Sequence, residues 1–132
     1  MISTKGRYAI RVMIDIAENS EDSYVPLRDI AARQDMSKKY LEAICKELVN
    51  GGLLTAASGR SGGYKLSRAP EDYRISEILE LMEGTLAPVA CLKHNAVPCP
   101  RAKDCKTLLM WQEYYIQTKL FFENKLLSDL IH

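Results

Sequence analysis

The sequence predicts a mainly α chain with one small two-stranded hairpin and a long C-terminal helix, and three observations carry that prediction. Leu27, Ile30 and Ala31 mark one face of a short helix. After the break Gln34-Asp35-Met36-Ser37, the residues Leu41, Ile44, Cys45 and Leu48 repeat at i, i+3, i+4 and i+7, the stripe of a second amphipathic helix. Two short strand candidates, 53–56 and 64–66, then flank the turn Ser58-Gly59-Arg60-Ser61-Gly62-Gly63. Finally, apolar residues fill the segment from about 104 to 124. Helix, turn, helix, hairpin is the order of a winged helix-turn-helix, here with a helical appendage.

In chain order, residues 3 to about 19 open as a helix. Tyr8, Ala9, Val12, Met13, Ile16 and Ala17 form a broad apolar stripe beside the basic Lys5, Arg7 and Arg11. Gly6 costs such a helix about 1 kcal/mol against alanine. It marks either a frayed start or a place where the backbone approaches something closely. Residues 19–23 are a polar loop. Pro26 suits the first position of the next helix, because the amide it lacks has no helical partner there. Ser37 is placed to cap the second helix, and Asn50-Gly51-Gly52 tolerate positive φ and can end it.

Beyond the hairpin, residues 67–72 are a linker, and Ile75, Ile78, Leu79 and Met82 give a helix at about 76–83 that Gly84 closes. Residues 85–104 lack periodicity and carry Pro88, Pro98 and Pro100 with three of the four cysteines. Loops of this length are usually functional or disordered. The helix at 104–124 spans about 30 Å at 1.5 Å per residue. Leu108, Trp111, Tyr115 and Phe122 lie along one line, Leu109, Ile116 and Leu120 along a second, Met110, Tyr114 and Phe121 along a third. A helix apolar most of the way round needs more packing than a small domain offers, so dimerisation through it is expected. Leu126, Leu127, Leu130 and Ile131, with Ser128 as cap, form a short terminal helix packing back.

The composition is that of an ordinary globular chain, 47% hydrophobic and 27% charged over 132 residues. No apolar run approaches the roughly 20 residues of a membrane helix, and the N-terminus lacks the apolar core of a signal peptide. A cytoplasmic protein with reduced thiols is expected. The net charge of +1 does not announce a nucleic-acid partner, but six cations stand against three anions from Arg33 to Lys65.

Within that stretch the second helix leaves Lys38, Lys39, Glu42, Lys46 and Asn50 off its core stripe. The N-terminal end of such a helix is what reaches base edges in a major groove. Lys39 can donate to guanine or contact phosphate, and Glu42 can accept from the amino group of cytosine. The competing reading is a solvated lysine–glutamate surface. Arg60, flanked by glycines and serines, can enter a minor groove or contact phosphate. No nucleophile–base pair is apparent, so an enzyme is not expected.

Cys91, Cys99 and Cys105 are not spaced as the C-x-x-C pairs of structural zinc. Three cysteines in one proline-containing loop can converge on an iron–sulfur cluster, either 2Fe-2S or 4Fe-4S, with His94 or Asp104 completing the ligand set. Zinc, a regulatory disulfide and inert thiols are the alternatives. Cys45, on the core stripe, reads as a small buried hydrophobe.

The chain resembles the Rrf-two family of bacterial winged-helix regulators. The residues that carry the resemblance are Ile2-Ser3-Thr4-Lys5-Gly6-Arg7-Tyr8-Ala9, Val25-Pro26-Leu27, Ile30-Ala31, Ser37 with Tyr40-Leu41-Glu42, Gly62-Gly63-Tyr64, and three cysteines before a long helix. The resemblance implies a homodimeric transcription factor, a repressor of a pseudo-palindromic double-stranded operator, that senses cluster supply, nitric oxide or redox state. It implies DNA contacts from Lys5, Arg7, Ser37, Lys38, Lys39, Tyr40, Glu42, Lys46, Ser58, Arg60, Gly62 and Gly63, and cluster ligation by Cys91, Cys99 and Cys105. Where members carry a fourth ligand, this chain has Leu108 or Arg7, and where the wing usually has arginine it has Ser58. Some members lack a cluster and respond through a partner protein. The expected organisation is a DNA-binding domain at 1–84, a sensor loop at 85–104, and a dimerisation helix with its tail at 105–132.

Overall fold

A computed structural model describes residues 2–132. α1 (Thr4–Asn19) begins at Ser3, whose hydroxyl accepts from the Gly6 amide at 3.1 Å. Ala9, Val12, Met13 and Ile16 are fully buried. Gly6 is itself buried, and a Cβ there would run into the carboxylate of Glu83. Close approach, not fraying, accounts for this glycine.

α2 (Leu27–Gln34) and α3 (Lys38–Asn50) form the helix-turn-helix. Pro26 is the N-cap of α2, one position before the expected one, and Gln34 belongs to the helix and not to the break. Asp35 takes the left-handed conformation at φ 52°, which lets the Met36 amide return to the Ala31 carbonyl at 3.1 Å. Ser37 caps α3 as expected, accepting from the Tyr40 amide at 3.2 Å. Of Gly51 and Gly52, which directly follow α3, only Gly52 uses positive φ, at 78°.

β1 (Leu54–Ala57) pairs antiparallel with β2 (Gly63–Leu66), Leu54 opposite Leu66 and Ala57 opposite Gly63. β1 sits one residue later than expected, because Leu53 faces the core and offers its carbonyl to Tyr73, and β2 starts one residue earlier than expected, at Gly63. Val25 bridges Tyr64 through two backbone bonds of 2.8 and 2.9 Å, so the wing has a third, one-residue edge that the sequence does not signal. Only glycine fits at 63, where φ is 143° and a Cβ would meet the Val25 carbonyl.

The linker contains a 3₁₀ turn at Pro70–Asp72, and α4 follows at Ile75–Glu83. From Gly84 to Thr107 the only helical segment is a 3₁₀ turn at Ala90–Leu92. α5 runs Leu108–Glu123, four residues later than the expected start, which makes it about 24 Å long. Asp104-Cys105-Lys106-Thr107, which precede it, lack the apolar residues that begin at Leu108. The tail packs back as expected, but as a 3₁₀ turn at Leu127–Leu130 that Leu126, not Ser128, precedes as cap. Its Leu127 is fully buried, and backbone bonds from Ile75 to Lys125 and from Leu127 to Tyr73 hold it against the start of α4.

One core joins α1, α3, α4 and the tail. Two polar devices brace it. Asp15, 2% exposed on α1, accepts from Arg33 Nε and Nη2 at 2.9 and 2.8 Å and from Gln34 Nε2 at 2.9 Å. Tyr73, fully buried, donates its hydroxyl to the Leu53 carbonyl at 2.7 Å and accepts from the Ser67 and Arg68 amides. No residue of α5 is buried, although Tyr115 and Phe122 touch the core from one side.

Candidate nucleic-acid interface and cysteine loop

The stripe that buries Leu41, Ile44, Cys45 and Leu48 turns the opposite face of α3 outward. Lys38, Lys39, Tyr40, Glu42 and Lys46 are all exposed there. Tyr40 meets Tyr8 edge-on at 5.8 Å, and Arg11 stands over the Tyr8 ring at 4.9 Å, so α1 fixes the front of α3. Ser58 and Arg60 are exposed at the wing tip. Gly62 is buried, closing the turn by donating to the Gly59 carbonyl at 3.1 Å. A Cβ on Gly62 would collide with the Ala57 carbonyl, so Gly62 and Gly63 shape the wing backbone and add no side-chain contact of their own.

The α2 start, Lys38 and the wing enclose an open cleft of about 450 Å³, lined by Arg28, Lys38 and Arg60 among others. Arg28 is a cation that sequence reasoning passed over. Its position in the first turn of α2, just after Pro26-Leu27, was the available signal. Arg33 corrects the reckoning in the other direction. Counted among the six cations from Arg33 to Lys65, it is held by Asp15 and contributes no free charge. That carboxylate, by hydrogen bond and by charge, raises the Arg33 guanidinium above its usual value. Lys5 is paired with Glu47 of α3 at 3.2 Å, and Arg7 reaches no further than Thr4 Oγ1 at 3.2 Å.

The loop cysteines are placed differently from the ligand set expected of them. Cys91 is exposed, and Cys99 and Cys105 are partly buried. Among the described residues, no three His, Cys, Asp or Glu side chains stand together where they can hold a metal. The thiols are the right donors for an iron–sulfur cluster, but the three are not gathered at one point, and neither His94 nor Asp104 makes a group of three with them.

Cys105 differs from Cys45 in a way that can be measured. The Thr107 hydroxyl, 3.5 Å from Sγ, holds the Cys105 thiol below its ordinary value, aided by the Thr107 and Leu108 amides and the charge of Arg101. Burial pushes Cys45 up to about 12. As pH rises through the thiol range, Cys105 is expected to alkylate early and Cys45 only on unfolding, which mass-spectrometric mapping checks. Comparable rates at the two sites would contradict these environments. Because folded Cys45 keeps a proton that the unfolded chain releases near 9.0, stability is expected to fall between that pH and about 12.

Fold and exposed face together define a winged-helix transcriptional regulator. A family model, Rrf2, described as an iron-dependent transcriptional regulator, matches residues 2–132, and the chain belongs to that family. It is 37% identical over 112 residues to the protein rrf2 of Nitratidesulfovibrio vulgaris, covering 85% of this chain and 74% of that one. It is 31% identical over 130 residues to the regulator IscR of Photobacterium profundum, covering 98% and 74%. Among solved structures, CymR, the global cysteine regulator of B. subtilis, superposes with a TM-score of 0.78 at 30% identity, covering 98% of this chain and 95% of that one. The IscR of T. potens gives 0.75 at 28%, covering 98% and 85%. The family is one of regulators, not enzymes. No helix among the described residues is long and apolar enough to cross a membrane.

Proposed function

We propose that the chain is a cytoplasmic, homodimeric regulator that reads a two-fold-symmetric operator through α3 and the wing, and whose affinity follows the state of the loop thiols. The observation that carries the DNA reading is the shared exposed face of Lys38, Lys39, Glu42 and Lys46, with Arg28 and Arg60 across the adjoining cleft. The lysines and arginines supply phosphate affinity, and Glu42, an anion among cations, selects the base step. Dimerisation is supported by α5, where Leu109 is 66% exposed, Ile116 58% and Phe121 57%, more apolar surface than a monomer ordinarily leaves to water. A two-fold pair would set two α3 helices about one helical turn of DNA apart.

The test is selection of duplexes from a random pool, followed by affinity measurement on the selected and scrambled sequences. Glu42→Ala is expected to reduce discrimination at one base step by about 1–3 kcal/mol while keeping phosphate-driven affinity. Unchanged affinity for both sequences would sink the role of Glu42.

Two readings of the thiols are each favoured by an observation. The family description and the IscR relatives favour an iron–sulfur cluster on Cys91, Cys99 and Cys105. The ungathered thiols, the likeness to the B. subtilis CymR and the likeness to Staphylococcus aureus CymR in its oxidized form favour a thiol switch, which needs only two cysteines. Anaerobic purification with iron and sulfide analysis separates them. Visible absorbance lost in Cys91→Ser, Cys99→Ser or Cys105→Ser supports the cluster. Colourless protein whose DNA affinity changes reversibly with a thiol oxidant supports the switch.

A further inference from the structure

Glu83 closes α4 and immediately precedes Gly84 and the cysteine-bearing segment. Its Oε1 accepts from the Ser3 amide at 2.9 Å and the Ser3 hydroxyl at 2.6 Å. The same hydroxyl accepts from the Gly6 amide, so the carboxylate, Ser3 and the first turn of α1 form one hydrogen-bonded unit. The absence of a Cβ at Gly6 is what lets the carboxylate lie there. Its negative charge also sits at the N-terminus of a 16-residue helix, where the aligned peptide dipoles favour an anion. On its other side Glu83 lines a cleft toward α5 with Trp111, Tyr114 and Phe122. The first turn of α1 is thus held between Glu83 at the loop root and, through Lys5, Glu47 of the DNA-reading helix. α4 bears on α3 as well, since a Cβ on Gly51 would collide with Leu81. Gly51 has an ordinary φ of −82°, so its requirement too is one of space.

We propose that Glu83 is a positioning residue for DNA binding. It sets the first turn of α1 so that the exposed Arg7 meets the DNA backbone, and it joins that turn to the root of the cysteine loop. This rests on the reading that Arg7 faces DNA.

The proposal makes a prediction opposite to plain electrostatics. A carboxylate that merely stood near DNA would repel it, so its removal would tighten binding. Glu83→Ala, which breaks the hydrogen bonds with Ser3, is expected instead to weaken binding to a duplex selected by the wild-type protein. It is also expected to lower the slope of log affinity against log salt by about 0.9 for each phosphate no longer neutralised. Glu83→Gln, which keeps an acceptor oxygen and removes the charge, is expected to bind as tightly as wild type or tighter. Combined with Arg7→Ala, Glu83→Ala is expected to be less than additive, because each change removes the same interaction with phosphate.

A loss caused by partial unfolding would lower the active fraction without changing the slope, and thermal melts report it separately. Should Glu83→Ala not fold, Ser3→Ala breaks the same hydroxyl bond with the charge retained and is read in its place. Tighter binding by Glu83→Ala, or an unchanged salt slope, would overturn the role of Glu83 and leave the DNA reading intact. Failure of the wild-type protein to enrich any duplex would overturn both.

Discussion

Arg33→Ala is expected to destabilise the chain by about 2–3 kcal/mol, less than the cost of breaking a fully buried ion pair, because the arginine is itself partly exposed and its loss admits water. The side chains are unequally placed. Arg33 is 39% exposed and Asp15 is 2% exposed. Taking away the arginine therefore leaves a carboxylate that water does not reach, with Gln34 Nε2 as its remaining donor. Taking away the aspartate leaves a guanidinium that water does reach. The double variant Asp15→Ala, Arg33→Ala is accordingly expected to be more stable than Arg33→Ala alone, since the stranded charge is gone. Urea denaturation of the three variants measures this, with equal slopes confirming a comparable unfolding transition. A double variant less stable than Arg33→Ala would show that packing, not charge, dominates. The raised Arg33 value works in the same direction. Its stabilisation is fully present wherever a free guanidinium is charged and is lost only as pH rises beyond that range.

Tyr73→Phe is expected to cost about 2–4 kcal/mol, because each unsatisfied buried polar group costs about 1–3 kcal/mol and the two amides involved are only partly buried. One hydroxyl has one donor and two acceptor positions, and Tyr73 uses all of them, on Leu53 before the wing and on Ser67 and Arg68 after it. Phenylalanine fills the same space, so the loss is one of hydrogen bonds and not of packing. The wing should loosen first. Hydrogen exchange at the β1 and β2 amides is expected to accelerate more than exchange in α1, and DNA affinity to fall while the base preference proposed for Glu42 persists. Uniform acceleration across the chain would mean that Tyr73 supports the whole core and not the wing in particular.

Much of the fold was legible because it is written in local patterns. The i, i+3, i+4, i+7 stripe of α3 set its buried face, and with it the outward face of Lys38, Lys39, Glu42 and Lys46. Ser37 announced its own cap, and the glycines at 62 and 63 announced the wing turn. The same patterns misjudged element ends. α5 begins at Leu108, where the apolar residues start, and the polar residues 104–107 stay outside it. Charge was misjudged for a related reason. Arg33 and Arg28 look alike in a count of cations, yet one is held by Asp15 eighteen residues away and the other lines the cleft beside the wing.

By itself, then, the sequence determined the order of helices and strands, the face of α3 turned to solvent, the confinement of three thiols to one loop, and an apolar last helix. Each depends on residues near one another in the chain, where periodicity and capping act. Only the tertiary structure decided which groups meet across long separations. Asp15 takes Arg33 out of the basic face, Tyr73 ties both ends of the wing, Val25 adds an edge to it, and Glu83 reaches back eighty residues to Ser3. The physical reason is the same in each case. A carboxylate or hydroxyl withdrawn from water must find its hydrogen bonds among whatever the packed core brings within reach, and no local pattern records what that will be.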